Sequence, residues 1–307
     1  MAKLVAATHG GGFHADDVFA AAVLDLALGL GTGFILVRTR DPMVIAKADI
    51  VFDVGGVFDA KSLRFDHHQR GYAEKRPNGV PLSSFGLLWC QYGTDVCRAV
   101  LGNKIIFQEA GKVAEAVDIE LVQGVDAMDC GAQDFLPRGG GVRIMSLSAV
   151  IGGFNPGWQD AEQNFDVAFI EAVAVARQVL INTAKSCHNV IAAESKVLEA
   201  KAEGNVLLLE YYYPWQIALF KRTDADSLRY VVFPNVSGGW RVQAVSTVPH
   251  SFSMHKPLPE SWRGLEGKAL DAVTGIPDGI FCHASGFIGG HATREGALAL
   301  AKAAIEA

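Results

Sequence analysis

Residues 4–30 read LVAATHGGGFHADDVFAAAVLDLALGL, and their pattern indicates an α/β fold. Its first five residues are apolar and predict a strand that ends at His9, after which three glycines form a flexible turn. Asp16 or Asp17 is placed to cap the helix that follows, and further glycines end that helix. The stretch therefore predicts a strand, a helix and, between them, a turn that carries His9, His14 and Asp16.

Two further apolar runs, at 34–38 and 49–54, follow this unit with a short amphipathic segment between them. A strand–helix–strand rhythm predicts parallel pairing, and open α/β sheets place their sites at the carboxyl ends of the strands. Asp53 lies at the end of the third run, and an Asp-His-His triplet at 66–68 lies in the next loop. We therefore expect these side chains to meet those of the first turn at one edge of the sheet.

The chemistry of these side chains suits divalent cations. Carboxylate oxygens and imidazole nitrogens in this mixture favour two ions of the manganese, zinc or magnesium type. Two such ions are the usual apparatus for splitting a phosphoester with a metal-activated hydroxide. A single His or Asp at a strand end is more often a helix cap, a turn former or a satisfied core residue. A buried cluster of ionisable groups is costly unless its members pair or hold a metal, so the cluster predicts a metal-dependent phosphoesterase.

The amino-acid composition limits the number of domains and the classes of protein that remain possible. The chain has 307 residues, half of them apolar, which is enough for two domains of ordinary size. A formal net charge of −6 argues against a broad basic face that grips long duplex DNA. Five scattered cysteines without CxxC spacing predict reduced thiols. We find neither an apolar stretch of about 18 to 20 residues nor a leader pattern, so we expect a cytoplasmic protein without membrane association.

The sequence pattern predicts two domains joined by a long helix. The segment 130–160 is rich in Gly, Pro and polar residues, and we place the boundary within it, between a catalytic domain at 1–150 and a second domain at 160–307. Residues 165–202 contain neither Pro nor Gly and predict one helix. Beyond Gly204, short β-rich runs predict an antiparallel or mixed sheet. The predicted fold is thus α/β, with a smaller α+β domain at the C-terminus.

Several blocks resemble a known superfamily. THGGGFHADD, VFDVGG, RFDHHQR and GVDAMD, in this order, resemble the four motifs of the DHH phosphoesterases. Together with SSFGLLW and HASGFIGGHATREGAL, they are more similar still to the melanocyte-proliferating-gene (Myg-type) family of metal-dependent hydrolases, which is associated with 3′–5′ RNA exonuclease activity. The blocks run from position 8 to about 300. The resemblance implies a DHH-type N-terminal domain whose mainly parallel sheet is flanked by helices.

The resemblance also implies two sets of metal ligands that share Asp53. One set would be His9, His14 and Asp53, and the other would be Asp16, Asp53, His67 and Asp126, with Asp129 as the alternative to Asp126. Either aspartate of this fourth motif could instead be a solvated turn residue.

Catalytic roles follow from the same resemblance for Asp53, Asp66, His67 and His68. Asp66 would orient its neighbouring histidine, and His68 would face the phosphoryl group. His14 stands where most members of the superfamily carry an aspartate. Two divalent ions are expected as cofactors, with Mn²⁺ preferred and Mg²⁺, Zn²⁺ or Co²⁺ as alternatives.

The glycine-rich segment near the C-terminus has two interpretations. It could be a tight connection between a strand and the helix that begins at Thr293 or Arg294, or a loop whose backbone N–H groups bind a phosphate. By resemblance, the candidate substrate contacts are His283, Ser285, Gly289, Gly290, His291 and Arg294. The aromatic run at 211–215 could likewise be a packed strand or a surface that stacks bases.

These features predict a hydrolase, most specifically a 3′–5′ exonuclease acting on short or single-stranded RNA. One alternative is a two-metal phosphohydrolase of a small substrate such as pyrophosphate, a cyclic dinucleotide or a nucleotide. Another is a non-catalytic nucleotide sensor. A homodimer is a candidate assembly. The sequence lacks the HExxH and GxSxG patterns of metalloproteases and serine hydrolases, which disfavours a protease.

Overall fold

The computed structural model describes residues 3–102, 105–132, 145–249 and 251–307. The protein is a mixed α/β chain with two compact units, Met1–His188 and Asn189–Ala307. Their division lies inside a long helix, later in the chain than the predicted boundary between 150 and 160. The assignment of one domain to catalysis and the other to substrate binding stays a prediction.

The first unit contains a mainly parallel sheet. Its strands are Leu4–Thr8 (β1), Phe34–Arg38 (β2), Ile50–Phe52 (β3), Phe58–Asp59 (β4) and Arg64–Phe65 (β5). They lie in the order β2-β1-β3-β5-β4, and only β4 runs antiparallel to its neighbour among these described strands. The predicted bounds of β1 and β2 are confirmed. The sequence pattern does not predict β4 and β5. The triplet at 66–68 lies in a loop, as predicted, and this loop directly follows β5.

Helices cover this sheet. They are Ala15–Leu28 (α1), Pro42–Ile45 (α2), Ser84–Leu101 (α3), Phe107–Val117 (α4), Gln123–Asp129 (α5), Leu147–Gly152 (α6) and Phe165–Glu199 (α7). A π-helical turn, Asp118–Val122, joins α4 to α5. The sequence pattern predicts a helix over about 106–123 that ends before the fourth motif, whereas in the structure the motif itself is helical.

The start of α1 is fixed by its own side chains. Asp17 Oδ1 accepts a hydrogen bond of 3.0 Å from the backbone N–H of His14, which precedes the helix. The residues from Ala15 to Leu24 are all buried, and α1 packs against α3. The helix ends at Gly29, whose φ of +84° suits glycine. The carboxylates of the first helical turn are thereby buried at the edge of the sheet.

The long helix α7 has one packed face. Phe169, Ala172, Ala176, Leu180 and Ala184 are fully buried and recur at three- and four-residue spacing. By length and mean hydropathy, α7 would be able to cross a membrane, although the sequence shows no continuous apolar stretch of that length. Core helices of globular proteins meet the same criterion, and the buried stripe is typical of such a helix.

The second unit is built on a mixed sheet, as its β-rich sequence predicts. Its strands are Ala202–Glu203 (β6), Val206–Leu208 (β7), Tyr230–Pro234 (β8), Trp240–Ala244 (β9), Gly279–Cys282 (β10) and Ile288–His291 (β11). The order is β10-β11-β9-β8-β7-β6, with β7 and β8 parallel and the other pairs antiparallel. Its helices are Gln216–Leu219 (α8), Gly267–Thr274 (α9) and Arg294–Glu306 (α10).

The C-terminal glycine-rich segment is only partly a turn. Its second half is β11, which pairs with β10 on one side and with β9 on the other. The helix α10 begins at Arg294, as predicted, and Thr293 Oγ1 caps it by accepting a hydrogen bond of 3.2 Å from Gly296 N.

Candidate metal centre

Asp53 lies at the centre of a cluster of carboxylates and imidazoles in the first unit. It follows β3, and its φ of +54° is a left-handed conformation that aspartate tolerates better than most residues. Asp53 Oδ2 lies 3.2 Å from Nε2 of His9. Asp53 Oδ1 lies 3.6 Å from Nδ1 of His67 and 3.5 Å from Nδ1 of His68. One buried carboxylate therefore contacts histidines that follow two other strands.

The first group of ligand atoms is formed by His9, Asp17 and Asp53, whose nitrogen and oxygen atoms lie within 4.8 Å of one another. His9 Nε2 lies 3.1 Å from Asp17 Oδ2. Burial lowers the pKa of His9, but the hydrogen bonds and charges of Asp17 and Asp53 outweigh it and raise the pKa to about 10. Asp17 therefore caps α1 with one oxygen and faces His9 with the other, a second role that the sequence analysis missed.

His14, Asp16 and Asp129 form a second group within the same distance of one another. The predicted set placed His14 with His9, but the two rings are 6.4 Å apart and the group of His9 contains Asp17 instead. Asp16 is buried, and burial together with the charges of Asp53 and Asp129 raises the pKa of Asp16 well above its usual range.

These features fit a divalent cation. The Oδ2 atom of Asp16 is buried and has no hydrogen-bond partner within the described part of the chain. An unpartnered buried carboxylate oxygen among like charges is costly, and a cation would remove that cost. The donors are carboxylate oxygens and imidazole nitrogens, which suits Mn²⁺, Zn²⁺ or Mg²⁺.

In the triplet Asp66-His67-His68, Asp66 contacts a different histidine from the one that the prediction implies. Asp66 Oδ1 accepts hydrogen bonds from the backbone N of His68 at 3.1 Å and lies 2.8 Å from its Nδ1. Burial raises the pKa of Asp66, but hydrogen bonds from Gly56 and His68 outweigh it and lower the pKa. Asp66 thus orients His68, whose side chain is 61 % exposed, and not His67, which is 10 % exposed.

Ser84 is the partner of His67, and the sequence analysis assigned it no role. Its hydroxyl donates to Asp53 Oδ1 at 3.1 Å and lies 3.1 Å from His67 Nδ1. The residue begins α3 and is fully buried. A serine pair at a helix start is usually a cap, so only the spatial neighbours of Ser84 show that it positions two residues of the cluster.

The two aspartates of the fourth motif have different surroundings, and Asp126, the preferred candidate ligand, faces away from the groups of ligand atoms. Asp126 is fully buried, and its Oδ1 accepts hydrogen bonds from Ser83 Oγ at 2.5 Å and Gly86 N at 3.0 Å. Its Oδ2 lies 2.8 Å from Nη1 of Arg76. Burial raises the pKa of Asp126 to about 6 in spite of these partners. Asp126 therefore holds the start of α3 and contributes no atom to the groups of ligand atoms found among the described residues.

Asp129, the alternative, faces the cluster. Its Oδ2 lies 3.1 Å from Nε2 of His67, and its carboxylate belongs to the group of His14 and Asp16. The physical reason is the helical course of the motif, which brings the residue one turn beyond Asp126, at the end of α5, to the cluster.

Two residues distant in sequence hold the glycine turn between His9 and His14. Asn155 accepts a hydrogen bond from Phe13 N at 3.0 Å and donates one to Phe13 O at 2.8 Å. Arg38 donates to Gly11 O at 2.6 Å, and its guanidinium lies 4.4 Å from the ring centre of Phe169. Neither residue carries a local signal that would have revealed this role.

Comparison with known proteins gives the family. The model of the MYG1 exonuclease family, described as an uncharacterised protein family (UPF0160), matches residues 5–305. This chain belongs to that family. The human MYG1 exonuclease is 36 % identical over 321 residues, which cover 97 % of this chain and 85 % of the human protein.

Other members of the MYG1 family are similarly close. The MYG1 protein C27H6.8 of Caenorhabditis elegans is 35 % identical over 97 % of this chain and 94 % of its own length. The MYG1 protein C694.04c of Schizosaccharomyces pombe is 36 % identical over 98 % of this chain and 97 % of its own length. No solved structure matches the chain.

The predicted substrate contacts of the second unit divide into two groups. His283, Ser285 and Arg294 are exposed, and His283 Nδ1 lies 2.9 Å from Ser285 Oγ. Gly289 and Gly290 are buried within β11, so their backbone groups belong to a paired strand and not to an open phosphate loop.

His291 is 2 % exposed, and both of its ring nitrogens have partners inside the second unit. Its Nε2 lies 2.8 Å from Pro277 O, and its Nδ1 accepts a hydrogen bond of 3.0 Å from Thr293 N. These contacts explain why the His291 ring can be buried. The residues before it form the paired strand β11 and not the open glycine loop that was one of the two predictions.

The aromatic run at 211–215 is not a strand. Tyr211 and Tyr212 are 66 % and 52 % exposed, whereas Trp215 is buried. The interpretation as a packed strand is therefore wrong for the two exposed tyrosines.

Proposed function

We propose that this chain is a metal-dependent phosphodiesterase of the DHH type that removes nucleotides from the 3′ end of short or single-stranded RNA. The observation that carries the proposal is the convergence on Asp53 of buried carboxylates and histidines from three parallel strands and two helices. The name exonuclease of the human relative supports a nuclease. The preference for RNA and the 3′–5′ polarity rest on the resemblance of the sequence blocks.

The residues that would hold two divalent ions follow from the groups of ligand atoms. His9, Asp17 and Asp53 would hold one, and His14, Asp16 and Asp129 would hold the other, with His67 between Asp53 and Asp129. Such ions, when bound, activate a water nucleophile and offset the charge of a phosphoryl group. We propose Mn²⁺ because the donor set mixes imidazole with carboxylate.

The protein's own groups supply orientation. Ser84 fixes Asp53 and His67 through a single hydroxyl, so the two side chains keep one relative position. Asp66 holds the half-exposed ring of His68 at the open side of the cluster, where it can contact a phosphoryl oxygen. Preorganised donors of this kind stabilise charge that develops during phosphoryl transfer.

The test is hydrolysis of a short RNA labelled at its 5′ end by metal-stripped protein, with and without added Mn²⁺. A ladder of progressively shorter labelled products, seen only with metal, is the expected result. A circular RNA of the same sequence should stay intact, because an exonuclease needs a chain end. The Asp53→Asn variant should leave both RNAs uncut.

Three outcomes would contradict the proposal. Cleavage of the circular RNA would indicate an endonuclease. Hydrolysis of pyrophosphate without hydrolysis of RNA would favour the small-substrate alternative. Manganese binding with no turnover of either substrate would favour a nucleotide sensor.

A further inference from the structure

The second unit contains a cavity of about 580 Å³ beside β9 and the turn that precedes β11. Its volume lies within the range of about 300–1,000 Å³ that is typical of small-molecule sites. Trp215, Met254 and Phe287 contribute apolar surface, and Gln216, Gln243 and Ser285 contribute polar groups. Among the described residues, the lining contains no charged side chain.

We propose that this cavity binds the base of a nucleotide. The inference rests on the proposed nuclease function for its choice of ligand class, and it deepens that function by assigning a base-binding site to the second unit. The absence of charged side chains from the described lining favours a base over a phosphate. A phosphate would need a cation or an array of free N–H groups, and the lining offers no lysine or arginine among its described residues.

The aromatic surface of the cavity suits a flat ring. Phe287 lines the cavity and is 38 % exposed, so its ring is accessible to a ligand. The ring of His283 lies edge-on against it, with ring centres 4.7 Å apart, and so restricts its orientation. Stacking of a base on an aromatic side chain contributes about 1–3 kcal/mol in single-strand binding proteins.

The polar groups of the lining suit the edge of a base. Gln216 and Gln243 each present an amide that can donate and accept hydrogen bonds, as a base edge requires. Ser285 is held by His283, since its Oγ lies 2.9 Å from Nδ1 of that histidine. Trp215 also lines the cavity, and its buried indole Nε1 has no acceptor among the described residues.

Nucleosides test the site independently of catalysis, because they contain no phosphoester. Binding of adenosine and of uridine to the full chain would be measured by saturation-transfer NMR and equilibrium dialysis, with ribose 5-phosphate as the base-free comparison. We expect both nucleosides to bind and ribose 5-phosphate not to bind in the cavity. Phe287→Ala should weaken nucleoside binding about tenfold, from the loss of stacking.

Ile280→Ala is the matched control, since Ile280 is 40 % exposed on the adjacent strand β10 and does not line the cavity. Gln243→Met keeps the side-chain volume while removing the amide, and it should also weaken nucleoside binding. Thermal unfolding of each variant would show that the second unit remains folded. If Phe287→Ala unfolds the protein, Gln243→Met carries the test alone.

Failure of this inference is distinguishable from failure of the proposed function. Undiminished nucleoside binding in both cavity variants, or no nucleoside binding by protein that takes up Mn²⁺ normally, would overturn the base site. Binding of a fatty acid in the cavity in place of any nucleoside would also overturn it. Base binding that depends on Phe287 and Gln243, in a protein that fails to cut RNA, would leave the site established and the nuclease activity refuted.

Discussion

Two segments that look alike in sequence have different structures. THGGGFH at 8–14 and SGFIGGH at 285–291 each contain three glycines and end in a histidine. In the first segment the glycines form a turn outside the sheet, and in the second Gly289 and Gly290 lie inside the paired strand β11. A glycine–histidine pattern therefore does not distinguish a ligand turn from a close-packed strand.

The difference comes from what surrounds each backbone. The turn at 10–12 has no strand partner, and the side chains of Arg38 and Asn155 hold it instead. In β11, a side chain at Gly290 would lie 2.8 Å from the ring of Phe281, so glycine is required for packing. Substitutions in the segment that presents candidate ligands should therefore act differently from substitutions in the segment that supports a sheet.

The largest expected effect is on metal affinity. His9→Ala should weaken Mn²⁺ binding by more than about 100-fold, because even residues that only orient ligands typically contribute 10- to 100-fold. His291→Ala should leave Mn²⁺ affinity unchanged, since both ring nitrogens are engaged within the second unit. Titration of each metal-stripped variant with Mn²⁺ by calorimetry would decide. Equal losses in the two variants would refute the contrast.

Asp126 and Asp129, both in α5, should also differ in whether their substitution affects stability or metal binding. Asp126→Asn should lower the free energy of unfolding by about 1–3 kcal/mol, because it removes the charged acceptor of Ser83 and Gly86 and one of the two carboxylates that pair with Arg76. Its Mn²⁺ stoichiometry should stay that of the native protein. Asp129→Asn should instead lose metal with a smaller change in urea stability. The reverse pattern would restore Asp126 as the ligand.

The two glycine segments should also differ in their tolerance of a methyl group. Gly290→Ala should destabilise the protein by about 1–3 kcal/mol through overpacking against Phe281. Gly12→Ala should be nearly neutral, since the nearest atom to the added Cβ is Asn155 Oδ1 at 3.6 Å and Gly12 does not have a positive φ. Urea denaturation of the two metal-free variants would compare them directly. Similar stabilities would show that β11 is less tightly packed than the structure indicates.

A smaller effect is expected from Asn155, which holds the glycine turn at 10–12 through its hydrogen bonds to Phe13. Asn155→Ala removes both hydrogen bonds to Phe13 and should weaken Mn²⁺ binding about tenfold, as loss of an outer support does at other metal sites. Asn182→Ala is the control, because Asn182 is an exposed residue of α7 in the same unit. Unchanged affinity in Asn155→Ala would mean that the turn keeps its shape without this support.

The pH dependence of Mn²⁺ binding should also reveal the role of His9 in the first segment. The pKa of His9 is raised from 6.5 to about 10, so the metal-free imidazole is protonated at neutral pH and must release its proton to bind a cation. Apparent Mn²⁺ affinity at this site should rise about tenfold per pH unit between pH 7 and pH 9. Calorimetry in buffers of different ionisation enthalpy would count the protons. A pH-independent affinity would contradict the assignment of His9.

The same ionisation has a consequence for the metal-free protein. Because the folded pKa of His9 lies above the unfolded value, its ion pairs with Asp17 and Asp53 contribute full stability below about pH 6.5. That contribution is lost as the pH rises through about 10. Thermal unfolding of metal-stripped protein across this range should show the decline.

Much of the fold could be predicted because it is encoded locally. The strands β1 and β2 and the start of α10 follow from apolar periodicity and capping residues close in sequence. The cluster around Asp53 could be anticipated as well, since parallel strands bring their carboxyl ends to one edge. The helical course of the fourth motif was missed because a π-helical turn carries α4 on to α5, past the predicted end at Gln123.

The residue types available to the centre could be read from the sequence alone, because carboxylates and histidines follow the first apolar run, end the third and recur in the next loop. Which of these side chains lie close together follows from the packing of distant segments. Arg76 pairs with Asp126, whereas Asp129 faces the cluster, and the glycine turn at 10–12 is held by Asn155, which is 142 positions from Phe13. A buried polar atom takes whichever partner the fold brings within about 3 Å, and no local pattern specifies that partner.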